Sequence, residues 1–206
     1  QKDLAMAAFI RGAKDDSCVA CMFYYADMQR QRGNIHLLLP LALEGAIRGH
    51  IPCMYTLISE CYHKAKPALA PALRNIWVKM TIELGDNTNN EEGRKEIKKH
   101  IANVCIVCKK KDSKDKVFEK CGICKFYSYC GKDCQTYHWK EGKHMNECRQ
   151  LKILREYCKP RHVKEIREAI ISGVDPKDIN RLQLLRTNLG LNRPKEEYEE
   201  LLLHLG

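Results

Sequence analysis

A chain of 206 residues and 23.9 kDa is long enough for one or two domains with interiors of their own. With 44% hydrophobic and 30% charged residues it is too apolar for a disordered tail and too charged for a membrane bundle. The longest apolar run, Leu37 to Ile47, is broken by Pro40, Glu44 and Gly45 and falls short of the ~18 to 20 residues that span a bilayer, so no membrane association is expected.

Gln1 to Gly12 lack the charged stretch and apolar core of a secretion signal, and a chain opening on Gln rather than Met reads as a fragment. Along the residues before 100 the apolar pattern is helical. Gly12, Gly49 and Gly85 recur 37 and 36 residues apart, each where such a pattern stops and glycine accepts a left-handed conformation. Cys18, Cys21, Met22, Tyr25 and Met28 make one stripe, and Leu41, Ala42, Ala46 and Ile47 make its partner. Met54, Leu57, Ile58 and Cys61 then face Leu69, Leu73, Ile76, Trp77, Met80 and Leu84, with Pro52 and Pro71 near the helix starts. With Gly49-His50 opening a helix and small Ala42 and Ala46 at a close approach, residues 1–86 resemble two Sel-one-like repeats, relatives of the tetratricopeptide repeat. A plain helical domain with a chance glycine period fits the same residues.

The polar break Gly85 to Asn90 precedes a charged helix, Glu91 to Asn103, so 87–103 is expected to be a helical linker. Beyond Cys148 helical patterns return at Leu151 to Tyr157, Val163 to Ile171, Ile179 to Leu185 and Glu196 to Leu203, with Asp175-Pro176 and Arg193-Pro194 as helix starts. The expected fold is mainly α: helical-hairpin repeats over 1–86, a small metal-bound segment over 104–148, and a C-terminal helical segment over 149–206.

Twelve cysteines are present, and seven crowd into the 44 residues from Cys105 to Cys148. Short C-x-x-C pairs with a nearby His read as zinc ligands of a reducing compartment rather than as disulfides, which places the protein inside the cell, in cytoplasm or nucleus. The order is Cys105-x-x-Cys108, Cys121-x-x-Cys124, Cys130-x-x-x-Cys134 and His144-x-x-x-Cys148, eight ligands for two tetrahedra. Positions four apart share a helix face, so each of the last two pairs makes a two-pronged clamp. His138, four residues after Cys134, competes with His144, but using it leaves Cys148 without a clamp partner. Cys18, Cys21, Cys53, Cys61 and Cys158 read as core cysteines, and His36, His50, His63, His100, His162 and His204 receive no role.

The run Tyr129, Cys130, Cys134, Gln135, Trp139, His144 and Cys148, following two C-x-x-C pairs, resembles the MYND-type zinc finger. It departs from the common form in having four residues, Lys140 to Lys143, between Trp139 and His144. The resemblance implies an interleaved arrangement, with Cys105, Cys108, Cys130 and Cys134 on one Zn²⁺ and Cys121, Cys124, His144 and Cys148 on the other. Two ions held by four protein ligands each are structural, since no position is open for water. The resemblance also implies partner proteins carrying short proline-containing segments. Such a segment is expected along Phe126 to Tyr129, adding main-chain hydrogen bonds, with the Gln135 amide and the Trp139 ring as a wall.

Nucleic acid is the alternative partner, through Lys109, Lys110, Lys111, Lys114, Lys116 and Lys120. Zinc thiolates weaken it. The finger's ten lysines against six acids give +4, and seven thiolates on two Zn²⁺ bring that to about +1. No H-E-x-x-H, G-x-S-x-G, Walker or deaminase pattern occurs, so no enzyme is expected; a fragment of a SET-domain methyltransferase carrying such a finger is the further alternative. The leading expectation is an adaptor or scaffold module.

Overall fold

The computed structural model describes residues 2–14, 18–62, 70–85, 104–113 and 117–192. Five helices come first: α1 (Lys2–Lys14), α2 (Val19–Gln31), α3 (Ile35–Ile47), α4 (Ile51–Thr56) and α5 (Pro71–Glu83). Each packs on the next in sequence. α3 is apolar nearly all round, with Leu38, Leu39, Ala42, Leu43, Ala46 and Ile47 buried, and a helix without a polar face belongs at the centre of its domain. Pro40 is accommodated inside it. α4 passes into a turn of π-helix, Leu57–Cys61, which keeps Leu57 and Cys61 buried.

A short antiparallel ribbon follows, β1 (Glu119–Lys120) with β2 (Ser128–Tyr129), pairing Glu119 with Tyr129 and Lys120 with Ser128. α6 (Lys132–Lys140) and α7 (His144–Tyr157) complete the finger, and α7 runs on past Cys148. α8 (Pro160–Ile171), a 3₁₀ turn at Pro176–Asp178 and α9 (Asn180–Leu189) end the described chain. The C-terminal helices share one apolar core with the first five: Val163, Ile166, Leu182 and Leu185 join Leu43, Leu57, Leu73 and Trp77, and Cys121, Cys124 and Tyr127 of the finger belong to it as well.

Among the described residues the expected helices are found, with instructive differences. Gly49 and Gly85 end helices at φ +83° and +88°, but Gly12 lies inside α1, where its missing side chain makes room for Cys21: a Cβ there would sit 2.5 Å from the Cys21 sulfur. Cys18 and Cys21 are half-buried rather than core residues, because Cys18 is the N-cap of α2 and its sulfur accepts the Cys21 N–H at 3.5 Å. Gln29 is buried on α2 instead, its amide oxygen accepting from Asn34 Nδ2 at 3.0 Å. Cys53, Cys61 and Cys158 are buried, and burial pushes the Cys53 and Cys158 thiols up to about 12. Asp175-Pro176 opens a 3₁₀ turn rather than an α-helix, with the Asp175 carboxylate accepting the Lys177 N–H at 2.8 Å. The expected helices at Glu91 to Asn103 and Glu196 to Leu203, and the start at Arg193-Pro194, lie outside the described residues.

Gly49 also marks where α8 docks, since a Cβ there would come 2.8 Å from the Arg167 Cβ. Gly49→Ala is therefore expected to cost more than the about 1–2 kcal/mol of a left-handed alanine. Gly85→Ala, at similar φ with nothing within 4 Å, costs the backbone contribution alone. Urea denaturation of the two variants measures the difference, and equal midpoints would refute the close packing of α8.

Candidate metal centre

Two knuckles of like geometry present the first two cysteine pairs. In each, the amide following the second cysteine folds back onto the first: Lys109 N–H donates to Cys105 O at 2.9 Å and Lys125 N–H to Cys121 O at 3.1 Å. Both lysines are left-handed, at φ 61° and 64°, which turns the chain sharply and aims two sulfurs the same way. The third pair is built differently from the expected helical clamp. Cys130 precedes α6, separated from it by extended Gly131, and only Cys134 lies on the helix. His144 and Cys148 do share a face of α7, and Lys143 at φ 53° makes the turn that starts it.

These segments bring eight ligand atoms into two groups, Cys105, Cys108, Cys130 and Cys134 in one and Cys121, Cys124, His144 and Cys148 in the other, each within a 4.8 Å span. Sulfurs about 2.3 Å from a shared ion stand about 3.8 Å apart along a tetrahedron's edge, and a sulfur and an imidazole nitrogen about 3.5 Å apart. Observed edges are 3.4 Å for Cys108–Cys130, 3.5 Å for Cys130–Cys134 and 3.7 Å for Cys121–Cys148. His144 Nε2 lies 3.6 Å from the Cys124 sulfur and 3.4 Å from that of Cys121. The geometry and the soft donor set fit two structural Zn²⁺ ions, and every coordination position is a protein atom.

The two sites differ in setting. In the first, Cys108 is exposed and Cys130 and Cys134 are half-buried, whereas all four ligands of the second are buried. Before metal enters, the thiol of Cys148 and the ring of His144, against burial, hold Cys124 down at about 4. Burial opposes a thiolate at Cys105 as well, yet backbone groups of Cys108, Cys130 and Val107 bring it to about 6. Burial also opposes charge on His144, but the neighbouring Cys124 sulfur, the Glu147 carboxylate and the Cys121 sulfur lift it to about 10. Cation uptake thus proceeds with proton release.

His138 stands in neither group. Its ring stacks flat on His144, centroids 4.8 Å apart and planes at 4°, and its Nδ1 is hydrogen-bonded to the Tyr129 hydroxyl at 2.9 Å. Burial and then the charge of His144 lower it to about 4, so it is a neutral packing ring. In the Lys140 to Lys143 connection, Gly142 comes so close to the His138 ring that no Cβ fits there.

Of the expected partner-contact residues, Phe126, Gln135 and Trp139 are half-buried, and Trp139 meets His144 edge-on at 5.8 Å. Tyr129 is 2% exposed, so its side chain belongs to the interior. Main-chain pairing along Phe126 to Tyr129 is also largely taken: β1 flanks one side, Ile106 N–H donates to Ser128 O at 3.1 Å on the other, and Cys121 N–H donates to Tyr127 O at 2.8 Å. The edge left open among the described residues is the outer side of β1, Glu119–Lys120. Sequence reasoning passed over Glu147 and Tyr127, which lie buried against His144; an acid one helical turn after a histidine ligand was the available signal.

A family model for the MYND finger matches residues 105–148. No curated protein and no solved structure matches the chain. No helix of the described residues is long and apolar enough to cross a membrane. Interleaved ligand pairs, the two closed clusters and the family match agree, and residues 105–148 are a MYND zinc finger, a protein-interaction module with two zinc sites.

Proposed function

We propose that the chain is a non-enzymatic adaptor or scaffold of the cell interior, whose finger docks short, proline-containing segments of partner proteins. The observation that carries this reading is closure: eight protein ligands fill both sites and leave the zinc ions no position for substrate or water. A metal that cannot act chemically serves shape, and what the finger shapes is a small surface. On that surface the outer edge of β1 has no neighbouring strand among the described residues, with the half-buried Phe126, Gln135 and Trp139 nearby in sequence. The helical region would add a second surface; consecutive packing of α2 to α5 and the left-handed glycines at 49 and 85 support two Sel-one-like repeats there. Against the phosphate reading, one lysine of the basic stretch, Lys109, turns its Nζ back onto Ile106 O at 2.7 Å.

Trp139→Ala in the zinc-loaded full chain tests the peptide site. Partners captured by the native protein are expected to be lost or weakened at least tenfold, while the ion count stays at two per chain. An unchanged partner set from the folded variant would remove the site from this part of the finger.

A further inference from the structure

When His144 binds metal through Nε2, its Nδ1 keeps a proton that needs an acceptor. Nδ1 of His144 and Oε2 of Glu147 are both buried without a hydrogen bond, and they face each other at 3.6 Å. The other carboxylate oxygen, Oε1, accepts the Tyr127 hydroxyl at 2.6 Å. Tyr127 Oη in turn accepts the backbone N–H of Ala72 at 3.3 Å, in the first turn of α5. That amide is one of the donors a helix start leaves unpaired, and α5 has no side-chain N-cap of its own. The finger thus caps a helix 55 residues away in sequence. A second buried bridge, Gln150 Nε2 to Tyr62 Oη at 3.0 Å, ties α7 to the end of the π turn.

We propose that Glu147, Tyr127 and the Ala72 amide form the outer shell of the second zinc site, so that the helical region helps orient His144 and the site belongs to both parts of the chain. A carboxylate only 1% exposed loses its hydration, and Tyr127 and Ala72 offset that with neutral dipoles alone. The cationic partner that justifies its place is an imidazole bound to a divalent metal. The i, i+3 spacing on α7 sets the carboxylate beside the ring, and the Tyr127 ring, edge-on to His144 at 5.0 Å, fixes its plane. Glu147 and Tyr127 are positioning residues: they touch the ligand and leave the ion to it.

The test uses the full chain in its zinc and cobalt forms, with Glu147→Gln and Tyr127→Phe as shape-preserving variants. Both are expected to bind two ions at saturating metal. In chelator competition the affinity for one ion falls by roughly 10- to 100-fold while the other is unchanged. In the cobalt form the shifted, exchangeable Nδ1 proton of His144 exchanges faster with solvent in both variants, and Tyr127→Phe also removes hydrogen-exchange protection from the Ala72 amide. Native affinity with slow Nδ1 exchange in both variants overturns the proposal. So does an equal loss at both sites with that exchange unchanged, which would mark general loosening.

Discussion

Stripping zinc from the full chain is expected to unfold residues 105–148 and to lower the melting temperature of the helices around them. The finger's strands are two residues each, and its interior is little more than the ligands with Tyr127, Tyr129 and His138. Apparent zinc binding of roughly 10–16 kcal/mol per structural site matches or exceeds the about 5–15 kcal/mol by which a whole domain is usually stable. The damage spreads because α7 carries His144 and Cys148 at its start and the buried Leu151 and Leu154 two turns later. Release should be biphasic, the half-exposed first site emptying before the enclosed second. Its pH dependence has a definite sign. Thiolates and a neutral His144 are the binding forms, and His144 sits near 10 before metal enters, so protons compete and affinity falls as pH falls. Elemental analysis should give two ions per chain in the native protein and in His138→Ala. Dichroism melts with and without chelator measure the rest, and an unchanged melt after complete removal of metal would contradict the whole account.

Glu44→Ala should destabilise the chain by about 3–5 kcal/mol, the range for breaking a buried ion pair from one side. Glu44 Oε1 accepts the Arg48 Nε–H at 2.7 Å, and the Arg186 guanidinium of α9 lies 3.1 Å from Oε2. Arg48 is 4% exposed, so removing the acid takes a paired carboxylate away from a guanidinium held inside the protein. Because Arg186 reaches Glu44 from the C-terminal segment, the variant should also loosen α9, read as faster proteolytic cleavage within 160–192. Replacing the pair together, Glu44→Leu with Arg48→Met, should recover most of the loss, since well-packed apolar residues often equal a buried ion pair. Urea denaturation of the two variants checks this; a single variant within 1 kcal/mol of native would show that the pair is well hydrated.

The metal ligands were legible because zinc imposes local spacing: a knuckle needs C-x-x-C, and a helical clamp needs His144 and Cys148 four apart. The helices were legible for a similar reason, apolar residues recurring at three and four along α3, α5 and α8. The joints between these pieces were not. Ala72 with Tyr127, Tyr62 with Gln150, and Glu44 with Arg186 are single polar pairs far apart in sequence, and no periodicity announces a buried tyrosine's partner. Gly12 misled for a related reason, since close approach to Cys21 and a left-handed helix end both call for glycine and look alike in a sequence. Ser128's neighbours on both sides were equally hidden, because one of them, Cys105 to Ile106, comes from the knuckle of the other site.

The crossed pairing of the ligands also bears on how the protein is made. Cys121 and Cys124 leave the ribosome before Cys130 and Cys134, so the first four of the finger's ligand sulfurs to emerge are Cys105, Cys108, Cys121 and Cys124, a tetrad absent from the finished finger. Ten residues separate Cys124 from Cys134, an interval of roughly 0.5 to 2 s at about 5–20 residues per second of synthesis. An ion captured in that interval has to trade two sulfurs for two others before either native centre closes. For an ion taken up that early, faithful loading requires thiolate exchange, with the last trade waiting for Cys148.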